Sequence, residues 1–438
     1  MKIEIIKSNN RVKWQKEEYL PASFTNPITI KLDLNKQDQK IFGFGGAFTD
    51  AAEITYHSLS KDKQKEYLEA YFGKEGLNYN LGRYPIMSTD FSTYSYEYLS
   101  DDNLDHFSLD SDKNRIEMLK DVLKIKPDLW LIGSPWSPST FMKTNGNRCF
   151  GGKLKAKYYS LWADVLLKTV NELSKEGIKL SCLTTQNEPL ATQTWESCLY
   201  SSDEEANFLK NHLIPKAKQY GMHDLKFMIY DHNRDKMFER ANEVFSIIDQ
   251  KEIFGVAYHW YDRNYFEGVK QTHQKYPNQH LLLTEACVEL LMDDNNGIGS
   301  WENGMRYAFN IINDLNNGSE GYIDWNLSLN LKGGPNHVGN FCEAPLLIDE
   351  KNNKIKYMPS YFCIGHFSKY LNKGDIRIET TSSSLDVLAC SFIDVSKIKM
   401  VVLNTSKENK DVSIILSNEQ NVSLSLESQS LYTLIIDN

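Results

Sequence analysis

Residues Leu180–Leu190, LSCLTTQNEPL, form an apolar run, alternating at first, that ends in the polar tip Gln186-Asn187-Glu188. Pro189 brings no backbone N–H, so ladder pairing cannot run past it. A parallel barrel strand delivers side chains to a reactive rim in this way. His280–Ala286, HLLLTEA, repeats the design and delivers Glu285. Two carboxylates at two strand ends therefore set the question that the rest of the chain must answer.

Working outward, strand-then-helix units recur from Ile41 onward. The expected strands are Ile41–Phe48, Asn78–Ile86, Asp128–Trp136, the opening stretch, Lys226–His232, Gly255–Tyr261, Leu281–Ala286 and Gly321–Leu329. The expected helices run from Asp50 to Phe72, opened by a capping box at Asp50 and Glu53, then over Asn114–Ile125, Lys157–Lys175 and Asp203–Tyr220. Four more follow over Asp235–Ile248, Arg263–Lys275, Trp301–Leu315 and Ser360–Leu371. Eight alternating units predict an α/β fold, a (β/α)8 TIM barrel over residues 41–372. A doubly wound sheet would gather its polar strand ends at one switch point, whereas here they recur along the chain.

The two ends of the chain read differently. Lys2–Ile6, Arg11–Gln15 and Ile28–Leu32 are short strands within residues 1–40. Residues 373–438 alternate apolar and polar positions in six further strands, from Asp375–Glu379 to Leu431–Ile436. Neither set suffices for a stable unit. Together they predict a discontinuous antiparallel β-sandwich side domain, built from both termini and structural in role.

A net charge of −9 and the lack of a dense basic cluster argue against nucleic acid or an anionic membrane as partner. The N-terminal stretch MKIEIIKSNN has no apolar core of a secretion signal, and the longest apolar run, Leu281–Met292, is interrupted by Glu285 and Glu289. No integral membrane segment is expected, and a cytoplasmic location is. Seven scattered cysteines without C-x-x-C spacing favour reduced thiols over a disulfide frame or zinc site. His232, His259, His337 and His366 lack ligand spacing, so no metal is expected, and no cofactor is implied. The GFGGAF glycines fit neither a dinucleotide fingerprint nor a Walker loop, and close packing is their expected role. G-x-S-x-G is absent, which removes the nucleophile-elbow hydrolases.

What remains is carboxylate chemistry. Cleavage of a glycosidic bond needs an acid for the leaving oxygen and a carboxylate for the anomeric carbon. Glu188 and Glu285, at the fourth and seventh strand ends, can face one cavity roughly 5 Å apart, the spacing of a retaining enzyme. Their repulsion would raise one pKa and make that group the acid. A solvated rim charge is the plain alternative for either glutamate alone. Asn187, beside Glu188, is placed to donate to a sugar hydroxyl, or else to cap a loop.

The chain resembles glycoside hydrolase family 30, in its acid β-glucosidase (glucosylceramidase) branch. The resemblance is carried by GFGGAFTDAA (43–52), STDFS (88–92), SPWSPSTFMKTNG (134–146), TQNEP (185–189), AYHWY (257–261), LTEACV (283–288), DWNLSLN (324–330), GGPNHVGNF (333–341) and GHFSKY (365–370). It implies a (β/α)8 barrel with a side β-domain, Glu188 as acid/base and Glu285 as nucleophile. It further implies Asp90, Trp136, Asn187, Tyr261, Trp325 and Asn340 as substrate-binding residues. Arg83 and His259 are implied as supporting groups, Arg83 helping to keep Glu285 ionised. Core aromatics, a turn carboxylate and a structural arginine are the plain readings of the same residues.

Residues 190–202, LATQTWESCLYSS, depart from the animal lysosomal enzymes on the aglycone side. The expectation is a bacterial-type retaining β-glucosidase acting on β-glycosides or short oligosaccharides. β-Xylosidase, β-fucosidase and β-1,6-glucanase activities stay open within the family, and a non-catalytic carbohydrate-binding protein is the reading from another class. Oligomeric state is not readable.

Overall fold

The computed structural model describes residues 2–262, 264–290, 297–416 and 420–437. Eight parallel strands close into a barrel: β1 Gly43–Ala47, β2 Leu81–Ile86, β3 Trp130–Pro135, β4 Leu180–Thr184, β5 Lys226–Asn233, β6 Gly255–His259, β7 His280–Glu285 and β8 Gly321–Asn326. The expected barrel is thus the observed one.

Close packing explains the glycines of β1. A Cβ on Gly45 would lie 2.1 Å from the Leu81 carbonyl oxygen of β2, a distance that no side chain tolerates. The barrel interior is layered by the two-residue period of a strand. Leu81, Ile132, Cys182, Met228, Ala257, Leu282 and Ile323 form one apolar cluster, one residue from each of β2 to β8. Phe42, Trp130 and Phe254 pack against that cluster.

Two residues further along the strands the layer turns polar, with Arg83, Ser134, Thr184, His259 and Thr284. On β5 the same count reaches Tyr230, but the register slips between Tyr230 and His232. Tyr230 and Asp231 take φ of 78° and 55°, and the bulge turns Asp231 inward to the polar layer.

Helices surround the barrel with several changes from the expected bounds. The first expected helix is two, Asp50–His57 and Lys61–Phe72, and its cap is Thr49, whose side chain accepts from the Ala52 N–H, rather than Asp50. The helix expected over Asp203–Tyr220 runs as Ser202–Phe208, a π-turn at Leu209–Leu213 and Ile214–Gln219. Arg263, expected to open the sixth-strand helix, lies outside the described residues, and that helix spans Glu267–Lys275. Leu291 and Met292, the end of the longest apolar run, also lie outside them. Among the described residues no helix is long and apolar enough to cross a membrane.

The two chain ends form one sheet of nine strands. Ile3–Ser8 pairs with Ser430–Asp437, and Ile28–Lys40 with Ile376–Ser382, both antiparallel. One pair departs from the antiparallel expectation: Ile28–Lys40 runs parallel to Lys410–Ile415. The strand expected at Arg11–Gln15 begins only at Gln15, because the Asn9 side chain accepts from the Arg11 and Val12 N–H groups and Trp14 adopts φ 49°.

Strand alternation divides the sheet's side chains between two cores. Val401 and Leu403 join the core of the barrel helices, whereas Ile398, Met400 and Val402 join a separate cluster made only of sheet residues and their flanks. Met400 and Ile414, four strands apart in the sheet order, are both fully buried in that one cluster. The seam to the barrel is polar as well as apolar. His366, on the helix Pro359–Ser368, lies 2.8 Å from both Ser8 Oγ and Thr433 Oγ1.

Candidate active site

At the C-terminal ends of the strands the polar layer is assembled around one buried cation. Arg83, fully buried, donates from Nη1 to Glu285 Oε2 at 2.5 Å and from Nε to Ser134 Oγ at 3.1 Å. Its Nη2 reaches Asn187 Oδ1 and Asp231 Oδ2, each at 2.8 Å. A guanidinium has donors only, so the Asn187 oxygen must face it, which leaves the Asn187 amide nitrogen for the cavity.

Asp231 is the residue that sequence reasoning passed over. Both its oxygens are engaged: Thr184 Oγ1 and Arg83 donate to Oδ2, while Thr284 Oγ1, at 2.6 Å, and His259 Nε2, at 3.1 Å, face Oδ1. Burial opposes its charge, yet Arg83 and His259 hold its carboxyl far below the usual carboxylate range. The signal was available, since FMIYD (227–231) ends an apolar run in an acid just as the opening stretch does.

Glu188 follows β4 at φ 48°, and its N–H donates to the Asp231 carbonyl at 2.9 Å. A non-glycine residue in the left-handed region costs of order 1–3 kcal/mol and persists where its surroundings over-determine it. Glu188 Oε1 lies 3.4 Å from His259 Nδ1, and Oε2 accepts from Gln193 Nε2 at 3.2 Å. Glu285 ends β7, and Tyr261 Oη donates to its Oε1 at 3.1 Å. Oxygens of Glu188 and Glu285 and a ring nitrogen of His259 all lie within 4.8 Å of one another.

That cluster has the ligand number of a metal site, but its charges are already met by the chain. Burial disfavours a charged His259, but Glu285, Asp231 and Glu188 outweigh it and push the imidazole up to about 9. A protonated imidazole beside Arg83 has no lone pair to offer a cation.

The same imidazolium changes the expected order of the two carboxyls. Burial works to raise Glu188, but the hydrogen bond and charge of His259, with His232 and Gln193, hold it down at about 2. Glu285 is raised, by burial first and by the charge of Glu188, against His259 and Arg83. The expectation that the acid of the pair carries the raised pKa is not met: Glu188 is held down beside His259, and Glu285 is the carboxyl that is raised.

Around the carboxyls, Trp136 and Trp325 stack with centroids 5.0 Å apart and planes at 18°, and the Arg83 guanidinium lies 4.7 Å from the Trp136 ring centre. Asp90 is buried and accepts from Asn340 Nδ2 at 3.0 Å. Burial, with the charge of Glu285, raises its pKa well above the usual range against the Asn340 hydrogen bond.

Asp90, Trp136, Asn187, Glu188, Tyr261, Glu285, Trp325 and Asn340 thus all line one cavity of about 140 Å³. Arg83 and His259 lie behind it. Sequence reasoning missed Gln193, Trp195, His232, Asn233, Cys287, Glu289 and Cys342, which share the wall. Most lie in loops, where no strand period marks a direction. A larger groove of about 550 Å³ at the other end of the strands, lined by Lys218, Lys226 and Glu252, lacks converging carboxylates.

The glycosyl hydrolase family 30 TIM-barrel domain matches residues 41–371. The lysosomal acid glucosylceramidase of Mus musculus is 33% identical over 410 residues, spanning 88% of this chain and 79% of the mouse protein. The endo-1,6-beta-D-glucanase BGN16.3 of Trichoderma harzianum is 26% identical, over 83% of this chain and 76% of its own length. The crystal structure of SrfJ from Salmonella typhimurium superposes with a TM-score of 0.93 at 31% identity, covering 100% of both chains. Fold, site and matches define a barrel glycoside hydrolase. The chain belongs to glycosyl hydrolase family 30.

Proposed function

We propose that this protein is a retaining β-glycosidase, a β-glucosidase of the glucosylceramidase-like type, with Glu285 as nucleophile and Glu188 as acid/base. The observation that carries it is the approach of Glu188 and Glu285 oxygens to within 4.8 Å at the mouth of one cavity. Inverting enzymes hold their carboxyl groups some 6.5–9.5 Å apart to admit a water, and retaining ones about 5–5.5 Å. The cavity suits one sugar ring, which favours attack at a chain end.

In the first step a Glu285 oxygen bonds to the anomeric carbon as the bond to the leaving oxygen breaks. Glu188 gives that oxygen a proton, drawn from His259 Nδ1, 3.4 Å away. Arg83 and Tyr261 hold the two Glu285 oxygens in line. In the second step the Glu188 carboxylate takes a proton from water and passes it back to His259 Nδ1, while the water oxygen bonds to the anomeric carbon and releases Glu285 as a carboxylate. Asp90, Asn340 and the Asn187 amide nitrogen bind sugar hydroxyls, and Trp136 and Trp325 form the wall of the ring site.

The similarity to enzymes named glucosylceramidase favours glucose as the sugar. The 1,6-glucanase likeness supports a second reading, a glucan as substrate. The test is a panel of aryl β-glycosides and β-1,6-linked glucose oligomers with the wild type, Glu188→Gln and Glu285→Gln. Turnover by the wild type alone, with a 2-deoxy-2-fluoroglycosyl label recovered on Glu285, is the expected result. A label elsewhere, or an inverted anomer by NMR, would overturn the mechanism.

A further inference from the structure

Glu188 is held from two sides by groups of different origin. His259 comes from β6, but Gln193 comes from the loop only five residues beyond Glu188 itself. Such a loop would ordinarily be too mobile to aim an amide. Here Glu196, 1% exposed, accepts from Ser88 Oγ at 2.7 Å and faces His337 Nε2 at 3.3 Å and Arg148 Nη1 at 3.8 Å. Burial opposes its charge, but His337 and Arg148 hold its pKa at about 2.

A second buried ion ties down the same turn. Lys143 Nζ donates to the Ser197 and Gly151 carbonyls, each at 2.6 Å, and to Ser137 Oγ at 3.1 Å. Ser197 N–H in turn donates to the Arg148 carbonyl at 3.0 Å. Gln193 is pinned at both backbone groups: its N–H donates to Ser197 Oγ at 3.2 Å, and its carbonyl accepts from Phe150 N–H at 2.9 Å. These bonds fix the Gln193 backbone, and from there its amide reaches Glu188 Oε2.

We propose that Gln193 is a positioning residue for the acid/base step, fixed in place by the Glu196 and Lys143 anchors; this rests on the reading of Glu188 given above. Glu188 is a carboxylate before the step, and the Gln193 amide, donating to Oε2 at 3.2 Å, fixes that carboxylate so that Oε1 faces His259 Nδ1 at 3.4 Å, the source of the proton. Holding that geometry matters where a proton must pass through Glu188 to the leaving oxygen, and not where the leaving group departs without one.

The test compares phenyl and 2,4-dinitrophenyl β-glycosides, since dinitrophenolate departs without a proton. Gln193→Ala and Gln193→Leu are expected to lower kcat/KM for the phenyl substrate by about tenfold, the loss of one such hydrogen bond, and to leave the dinitrophenyl value within about twofold. Thermal melts of both variants are expected to match the wild type. Equal losses on the two substrates, or none on either, with an active wild type, would overturn this inference alone. A wild type inactive on every β-glycoside would remove the reading of the site and this inference with it.

Discussion

Arg83 Nη1 and Glu285 Oε2 lie 2.5 Å apart, and the same guanidinium reaches Asn187 and Asp231 through its other terminal nitrogen. One fork thus sets three side chains from three strand ends. A lysine carries the charge but not the fork. Arg83→Met leaves Glu285 and Asp231 buried without it, and urea unfolding is expected to show a loss of about 3–5 kcal/mol. Arg83→Lys is expected to recover part of that stability but to remain at least about 100-fold down in kcat/KM, since a misplaced group costs that much. Wild-type turnover in the lysine variant would contradict the fork's role.

Tyr261 gives Glu285 its second donor, at 3.1 Å. Tyr261→Phe keeps the ring and removes that bond. The rate of fluoroglycosyl labelling is expected to fall by about ten- to a hundredfold, the range for a hydrogen bond to a charged group. An unchanged labelling rate would show that Arg83 alone orients the nucleophile.

Two buried histidines make opposite predictions for stability against pH. His259 is raised from 6.5 to about 9, so its contribution is fully present below pH 6.5 and is lost as pH rises through 9. That loss amounts to about 3 kcal/mol. In His259→Gln, the fall in unfolding free energy between pH 6 and 10 is expected to be smaller by this amount.

His366 is depressed from 6.5 to about 3 by burial in the seam. Between these values the unfolded chain binds a proton that the folded one refuses, so stability falls as pH drops below 6.5. The expected cost is about 2 kcal/mol at pH 5. Melting curves at pH 5 and 7.5 test it: the difference is expected to shrink in His366→Gln, and an undiminished difference would place the acid sensitivity elsewhere.

Gly45→Ala puts a methyl group where the Leu81 carbonyl already lies, 2.1 Å away. Two barrel strands must then separate, and a loss of about 2–3 kcal/mol is expected by urea unfolding, as for overpacking in a rigid core. A variant as stable as the wild type would show that β1 and β2 can part freely.

That Glu188 and Glu285 share one cavity was legible in the sequence because a barrel strand has a simple code, apolar in the wall and polar at the tip. The barrel and the polar tips follow from a period of two and a stop. Asp231 obeyed the same code but sits behind a bulge, where counting by twos points to Tyr230. The π-turn at Leu209–Leu213 and the break before Ser60 escaped because the apolar period runs through both. Gln193, Glu196 and His337 were silent for another reason. Their partners lie in loops after four different strands, and no local spacing records a contact of that kind. The pKa order of the two glutamates was likewise unreadable, since it depends on a histidine 71 residues from one of them.

The sheet that joins both chain ends has a consequence for how the molecule is made. Ile3–Ser8 leaves the ribosome long before Ser430–Asp437, the strand it pairs with. At about 5–20 residues per second that wait is roughly 20–85 s. Through it the early strand keeps an open edge, with Ile5 and Ile6 still uncovered, a state that invites pairing with other chains. The barrel segment is synthesised within the same interval and can close first. Slow translation of the last sixty residues would therefore lengthen the time at risk without touching any residue of the active site.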